Sequence, residues 1–173
     1  MSRYRSGFTI VELLIVIVVI GILAAITIVV YNGIQQRGRD AGRKSDVAAI
    51  AKALHLYQID NGPMYTSSGC GSGGNGNGWF NHNYSPPGNN MNTCLKIGGY
   101  LSKDIKDTAI NCGVGELSCH AYMKYTCIQS TVTTTYVYAN LENEGHTVTD
   151  TDGTCASSLD TDYGMNYFVK LTY

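Results

Sequence analysis

Basic residues are scarce in the C-terminal two thirds of the chain, and this scarcity argues against one class of function. After Gly62 the 173-residue sequence has five lysines and no arginine, against nine aspartates and glutamates. The whole chain carries a formal net charge of −1. Proteins that bind nucleic acids usually display a basic patch that neutralises phosphates. We therefore expect no dedicated nucleic-acid binding.

Motifs that carry enzyme chemistry are also missing. The sequence has no glycine-rich phosphate loop, no H-E-x-x-H metal motif and no nucleophile elbow. Cys119 and His120 could pair a thiol with a base, but six cysteines in an oxidising compartment are better explained as disulfides. We expect a protein that is not an enzyme and needs no cofactor.

One long apolar run stands near the start of the sequence. From Leu13 to Val30 it is interrupted only by Gly21 and Thr27, which is enough for a bilayer-spanning helix. Glu12 precedes the run directly. An acidic side chain near the centre of such a helix costs about 2.5–3.5 kcal/mol, and somewhat less near an end. Glu12 therefore either reaches interfacial water or has a partner.

The motif Gly7-Phe8-Thr9-x-x-Glu12-Leu13, after a short basic leader, resembles the N-terminus of a type IV prepilin. The resemblance covers residues 1–31. It implies that a membrane-bound prepilin peptidase cuts between Gly7 and Phe8 and methylates the new amine of Phe8. Unlike a secretory signal, which is cut after its apolar core, this leader leaves the apolar segment in the mature protein. The resemblance also implies that Glu12 meets the Phe8 amine of a neighbouring subunit.

The charges that flank the span conflict with this topology. Two arginines precede the span, whereas four basic residues follow it: Arg37, Arg39, Arg43 and Lys44. The positive-inside rule, applied to these basic residues alone, would place the C-terminal side of the span in the cytoplasm. The cysteines after the span, the acids among the later bases and the prepilin resemblance favour the opposite orientation. We expect a single-pass precursor in the inner, or cytoplasmic, membrane with its N-terminus inside.

A helical pattern continues beyond the span from Asn32 to Asp60. Its apolar residues recur at spacings of three and four and form one stripe: Val47, Ile50, Ala51, Leu54 and Tyr57. The segment Asn61-Gly62-Pro63 predicts a stop. Gly33, Gly38 and Gly42 weaken the middle of the helix and favour a flexible joint. Val29 stands where many pilins carry a kinking proline, so we expect less bending there.

The predicted organisation is a cleaved leader (1–7), a transmembrane and polymerisation helix (8–31), its amphipathic continuation (32–62) and a globular head (63–173). Strands are predicted over 117–128, 132–141 and 165–172, the first two as a hairpin, with Met165, Tyr167, Val169 and Leu171 on one face. Strands after one long helix predict an α+β, pilin-like fold with a small antiparallel sheet packed on the helix. Residues 67–92, rich in glycine and asparagine, predict a long surface loop held by aromatics, or a binding loop.

All six cysteines follow the span: Cys70, Cys94, Cys112, Cys119, Cys127 and Cys155. This even number predicts up to three disulfides, with 15 possible connectivities. Cys70 with Cys94 would close the glycine- and asparagine-rich loop, where a bridge stabilises most. Cys119 and Cys127 on one strand would lie about 26 Å apart and could not bond to each other. Zinc is the competing interpretation, but the sequence has no paired C-x-x-C.

Clustered aspartates near a turn could bind a metal ion: Asp150, Asp152, Asp160 and Asp162. Calcium prefers such oxygen ligands, and some pseudopilins, relatives of the pilins, bind it. The motif lacks the third ligand and the bidentate glutamate of a full calcium loop. Most Asp-Gly segments are simply turns.

The sequence thus predicts a prepilin whose mature form polymerises with copies of itself into a type IV pilus or related filament at the cell surface. Its expected partners are the prepilin peptidase, the assembly platform and minor pilins. The alternatives are a pseudopilin of a type II secretion-like system, a minor pilin, or a membrane-tethered binding module that never polymerises. The shared N-terminus does not separate adhesion, motility, DNA uptake and secretion.

Overall fold

The computed structural model describes residues 7–62, 70–71, 77–81, 89–106, 122–129, 132–144, 159 and 163–171. The chain divides into two compact units, Met1–Gly38 and Arg39–Tyr173. Each unit is described by itself.

Helix α1 runs from Ile10 to Asn61, within two residues of the helix that the periodicity predicts. In the first unit every residue from 7 to 32 is exposed. Among the described residues, α1 is the one helix long and apolar enough to cross a membrane. It ends as predicted: the N–H of Gly62 donates to the carbonyl of Gln58 at 2.8 Å, and Gly62 has φ 82°, a left-handed conformation that favours glycine.

In the second unit α1 is amphipathic. Val47, Ile50 and Leu54 are fully buried, and Tyr57 packs against the same cluster, so the predicted stripe is confirmed. Asp46 accepts a hydrogen bond at 2.6 Å from the hydroxyl of Tyr122 on the sheet. The stripe and the sheet therefore share one core.

Four antiparallel strands form one sheet in the order β1-β2-β3-β4. Their bounds are β1 Gly78–Trp79, β2 Tyr122–Gln129, β3 Val132–Ala139 and β4 Tyr167–Leu171. The predicted hairpin is confirmed, since β2 pairs with β3 from Tyr122↔Ala139 to Gln129↔Val132. The α+β, pilin-like fold class is confirmed with it.

The two faces of the sheet carry separate apolar clusters. Tyr122, Val137 and Leu171 join the cluster of the α1 stripe, whereas alternate positions such as Met123 and Tyr138 join a second cluster around Trp79. The prediction for Met165 is wrong. Met165 precedes β4 and packs with the second cluster, not on the face of Tyr167, Val169 and Leu171.

Within the predicted loop over residues 67–92 the structure describes residues 70–71, 77–81 and 89–92. Trp79 belongs to β1, Phe80 is fully buried, and a short helix α2, Met91–Ile97, begins within the range. The side chain of Asn90 caps α2 by accepting a hydrogen bond from the N–H of Thr93 at 2.8 Å. The aromatics Trp79 and Phe80 are thus buried in the core, as expected of side chains that hold a loop.

Cys70 and Cys94 form a disulfide, with their Cα atoms 6.3 Å apart. This is the pairing that the loop-closure argument favours. Cys127 is also disulfide-bonded, and none of the cysteines in the described residues is free. Cys112, Cys119 and Cys155 lie outside the described residues, as does the turn at residues 130–131.

Candidate functional site: the helix start and the ion-pair cluster

The carboxylate of Glu12 is tied to Thr9 at the first turn of α1. Its Oε2 accepts hydrogen bonds from the backbone N–H of Thr9 at 2.9 Å and from Thr9 Oγ1 at 2.8 Å. In return, the backbone N–H of Glu12 donates to Thr9 Oγ1 at 3.2 Å. This reciprocal pattern is a capping box, with Thr9 as N-cap and Glu12 at the third helical position. The T-x-x-E signature shows it in the sequence, and our sequence analysis missed it.

The capping box leaves part of Glu12 available. Within the described part of the chain, Oε1 of Glu12 accepts no hydrogen bond, and the nearby Phe8 is 84% exposed. The carboxylate is held in one place by its own chain while one oxygen faces outward. Such a group can receive a cation without losing its local bonds.

After this first turn, the surface of α1 is apolar and exposed. Large apolar side chains from Leu13 to Val30 are about half exposed or more on all sides of the helix. A helix that is apolar all round is stable only in lipid or against other proteins. The first unit therefore has an apolar surface that its own residues do not cover.

A second feature, which the sequence analysis missed, is an ion-pair cluster made by Arg39, Asp40 and Arg43 on α1 with Glu142 and Asn143 after β3. Arg43 is 2% exposed and Asp40 6% exposed. Arg43 contacts Glu142 at 2.8 Å and Asp40 at 3.2 Å, and Arg39 Nε donates to Glu142 at 2.8 Å. These groups are 99 to 103 residues apart in sequence, so periodicity cannot show the contact.

Asp40 also holds the backbone of the loop after β3. Its Oδ1 accepts from the N–H of Glu142 at 2.8 Å and its Oδ2 from the N–H of Asn143 at 2.9 Å. Asn166 fixes the loop from the other side, accepting from the N–H of Leu141 at 2.7 Å and donating to the carbonyl of Glu144 at 2.9 Å. These hydrogen bonds therefore fix the position of the loop along the axis of α1.

Ion pairs in and near this cluster shift the pKa values of the groups that form them. Hydrogen bonds from Arg39, and then from Arg43, lower the pKa of Glu142 from 4.5 to about 2. Lys44 pairs with Glu144, which raises the pKa of the lysine. Three of the four bases that follow the span are thus ion-paired in the folded head. These basic residues therefore have tertiary contacts in the head.

A further titratable group, Lys124 of β2, lies in the core. Lys124 is fully buried, and the side-chain oxygen of Asn77 accepts a hydrogen bond from its Nζ at 3.4 Å. Burial lowers the pKa of Lys124 to about 8.

The predicted calcium ligands Asp150, Asp152, Asp160 and Asp162 lie outside the described residues. Within those residues no three or more metal-ligating acids, histidines and cysteines lie together.

Comparison with known proteins identifies the N-terminal part. Residues 2–28 match the family model described as the prokaryotic N-terminal methylation motif. Type II secretion system core protein G of Pseudomonas aeruginosa is 39% identical over 59 residues, which is 34% of this chain and 42% of that protein. The core protein G of Aeromonas hydrophila is 37% identical over 60 residues (35% and 42%), and that of Escherichia coli 36% over 57 residues (33% and 39%).

These matches confirm the resemblance to type IV pilin-like proteins, and the apolar helix with its motif indicates a membrane-anchored precursor. The chain spans about two fifths of the length of these relatives. No solved structure matches the chain.

Proposed function

We propose that the chain is a structural subunit of a type IV pilus-related filament that polymerises through the first half of α1. One observation carries the proposal: the first unit is an apolar helix exposed on every side, headed by a positioned carboxylate at Glu12. Lipid covers such a helix in the precursor, and the helices of other subunits cover it in a filament. A copy of the same chain supplies the same apolar surface, so the polymer can be homomeric.

The proposed contact joins Glu12 of one subunit to the amine of Phe8 in the next. Cleavage after Gly7 by a prepilin peptidase creates this amine, and N-methylation keeps its positive charge. In the low-dielectric interior of a helix bundle the attraction between the two charges is stronger than in water. Because Oε2 is held by Thr9, Oε1 of Glu12 is the natural acceptor.

The matching relatives favour one kind of filament subunit. The matching proteins are core proteins G of type II secretion systems, so we propose a pseudopilin as the specific role and a type IV pilus subunit as the second candidate. In either role the precursor is anchored in the cytoplasmic membrane with its N-terminus inside. It works with the peptidase, an assembly platform and minor subunits.

Electron microscopy of sheared surface material, with mass spectrometry of the fibre subunits, tests the proposal. We expect fibres whose main or minor component is this chain, beginning at an N-methylated Phe8. Mature protein that begins at Met1, or that remains entirely in the membrane without any fibre, would contradict it and would favour a tethered binding module.

A further inference from the structure

A buried amine and a side-chain amide face each other where strand β1 meets strand β2 in the head. Lys124 is fully buried, and its Nζ donates to Oδ1 of Asn77, the residue before β1, at 3.4 Å. The register of the two strands pairs Gly78 with Lys124. Adjacent strands therefore hold the two side chains together, although 47 positions separate them in sequence.

The amine of Lys124 has the properties of a nucleophile. Burial lowers its pKa to about 8, so about a tenth of it is neutral near pH 7. An unperturbed lysine, with a pKa of about 10.4, is neutral roughly 250-fold less often. Only the neutral amine has the lone pair that can attack a carbonyl carbon, and a desolvated lysine is a recognised nucleophile for this reason.

The side-chain carbonyl of Asn77 is placed to react with this amine. Its Oδ1 also accepts a hydrogen bond from the backbone N–H of Thr126 at 3.1 Å. When an amine adds to the carbonyl, negative charge develops on this oxygen, and a fixed backbone N–H that points at it stabilises the charge. Because Cγ is bonded to Oδ1, Nζ lies at most about 4.6 Å from Cγ. Rotation within the lysine side chain can bring the two atoms to the approach distance of about 3–3.5 Å.

We propose that Lys124 and Asn77 become joined by an intramolecular amide bond. Nζ attacks Cγ, the bond between Nζ and Cγ forms, and the bond between Cγ and Nδ2 breaks. One proton of Nζ passes to Nδ2, which leaves as ammonia, so the step needs no oxidant, no reductant and no second substrate. This bond forms within the head whether or not the chain polymerises.

The bond would secure the shortest strand of the sheet. Strand β1 has two residues, Gly78 and Trp79, and Trp79 packs in the second apolar cluster. A covalent link between distant positions restricts the unfolded chain and so stabilises the folded one, as a disulfide does. A linked Lys124 no longer titrates, so any pH dependence that comes from its amine belongs to freshly folded protein.

Peptide mass spectrometry of the full wild-type chain in detergent, before and after ageing, tests the bond. We expect a pair of peptides joined through Lys124 and Asn77, lighter by one ammonia molecule than the two separate peptides. The joined pair should form about tenfold faster near pH 9 than near pH 7, because the neutral fraction of the amine rises by that factor. Both peptides recovered separate and unmodified after ageing would overturn the proposal.

Variants identify the nucleophile. Asn77 precedes Gly78, and asparagine before glycine can also lose ammonia by cyclising on its own backbone, so the mass of the intact chain does not decide. Lys124→Met should abolish the joined pair, whereas Lys52→Met, at an exposed position on α1, should form it at the wild-type rate. Loss of ammonia at Asn77 that continues unchanged in Lys124→Met would come from backbone cyclisation and would contradict the role of Lys124. If Lys124→Met does not fold, the joined peptides of the wild-type chain decide by themselves.

Discussion

Asp40, near the middle of α1, accepts a hydrogen bond from the backbone N–H of Asn143 at 2.9 Å, although the two residues are 103 positions apart. The same carboxylate accepts from the N–H of Glu142 and pairs with Arg43. A buried charge is tolerated only when its hydrogen bonds and its counter-charge are in place. Here the backbone of one loop supplies two of those bonds, so the helix and the loop after β3 depend on each other.

Asp40→Ala should therefore destabilise the head strongly. It removes the acceptor of two backbone N–H groups and one ion pair of Arg43, and breaking a buried pair costs about 3–5 kcal/mol. Urea unfolding followed by the fluorescence of Trp79, the single tryptophan of the chain, measures the change. Glu144→Ala is the control. It removes the exposed pair with Lys44 and should cost less than about 1 kcal/mol. Equal losses in both variants would contradict the role of Asp40.

The head should lose stability in acid through Glu142. Its pKa in the folded state is about 2 instead of 4.5, so as pH falls the unfolded chain takes up this proton first. The stabilisation is complete above pH 4.5 and is lost between pH 4.5 and about 2. Glu142→Gln should make the unfolding free energy depend less steeply on pH in this window. An unchanged slope would show that the ion pairs of Glu142 do not stabilise the head.

Lys124 predicts a second rise of stability with pH, in the basic range. Burial lowers its pKa from 10.5 to about 8, so between these values the unfolded chain binds a proton that the folded head does not. The unfolding free energy should rise by about 3 kcal/mol as pH increases through this window. Lys124→Met should remove this rise, whereas Lys52→Met, at an exposed position on α1, should keep it. A rise that persists in Lys124→Met belongs to another group.

Local patterns account for what the sequence could predict of this fold. The stripe from Val47 to Leu54 repeats every three or four residues, and β2 and β3 are adjacent in sequence, so both follow from nearby residues. Helix α2 was missed because seven residues are too few for periodicity to appear. The contact between Arg43 and Glu142 was missed because it depends on the whole chain folding back on α1.

At the helix start the signal was present in the sequence. Thr9 and Glu12 are three residues apart, and the capping box needs no tertiary contact. The prepilin resemblance implies a partner for Glu12 in another subunit, whereas the capping box gives Glu12 a partner in its own chain. Where a functional motif and a local structural motif share a residue, both have to be considered.

Thr9 should therefore affect assembly through Glu12. Thr9→Val keeps the shape but removes the hydroxyl that donates to Oε2 of Glu12 and accepts from its backbone N–H. The carboxylate then keeps only the hydrogen bond from the backbone N–H of Thr9 and is held less firmly. We expect fewer sheared filaments at equal membrane levels, and a yield close to wild type for Thr9→Ser, which keeps the hydroxyl. If Thr9→Val and wild type assemble equally, the capping box only begins the helix.

The assembly proposal depends most on Glu12 itself. Glu12→Ala should still insert in the membrane, because it removes a charge from an apolar helix. It should nevertheless impair filament formation, since the charge of Glu12 is compensated only when the Phe8 amine of a neighbour arrives. A buried ion pair contributes little to overall stability, but it can fix register between subunits.

Glu12→Gln separates charge from shape. It keeps a side-chain oxygen that can accept from Thr9 and from an amine, so its defect should be milder than that of Glu12→Ala. Wild type and both variants should be expressed at matched membrane levels, and sheared filaments should be quantified and their helical rise measured. Either of two results supports the proposal. The first is a filament yield that is lowest for Glu12→Ala and intermediate for Glu12→Gln, and the second is an altered helical rise. Normal filaments from Glu12→Ala would mean that another contact sets the register, and the proposed mechanism would be lost.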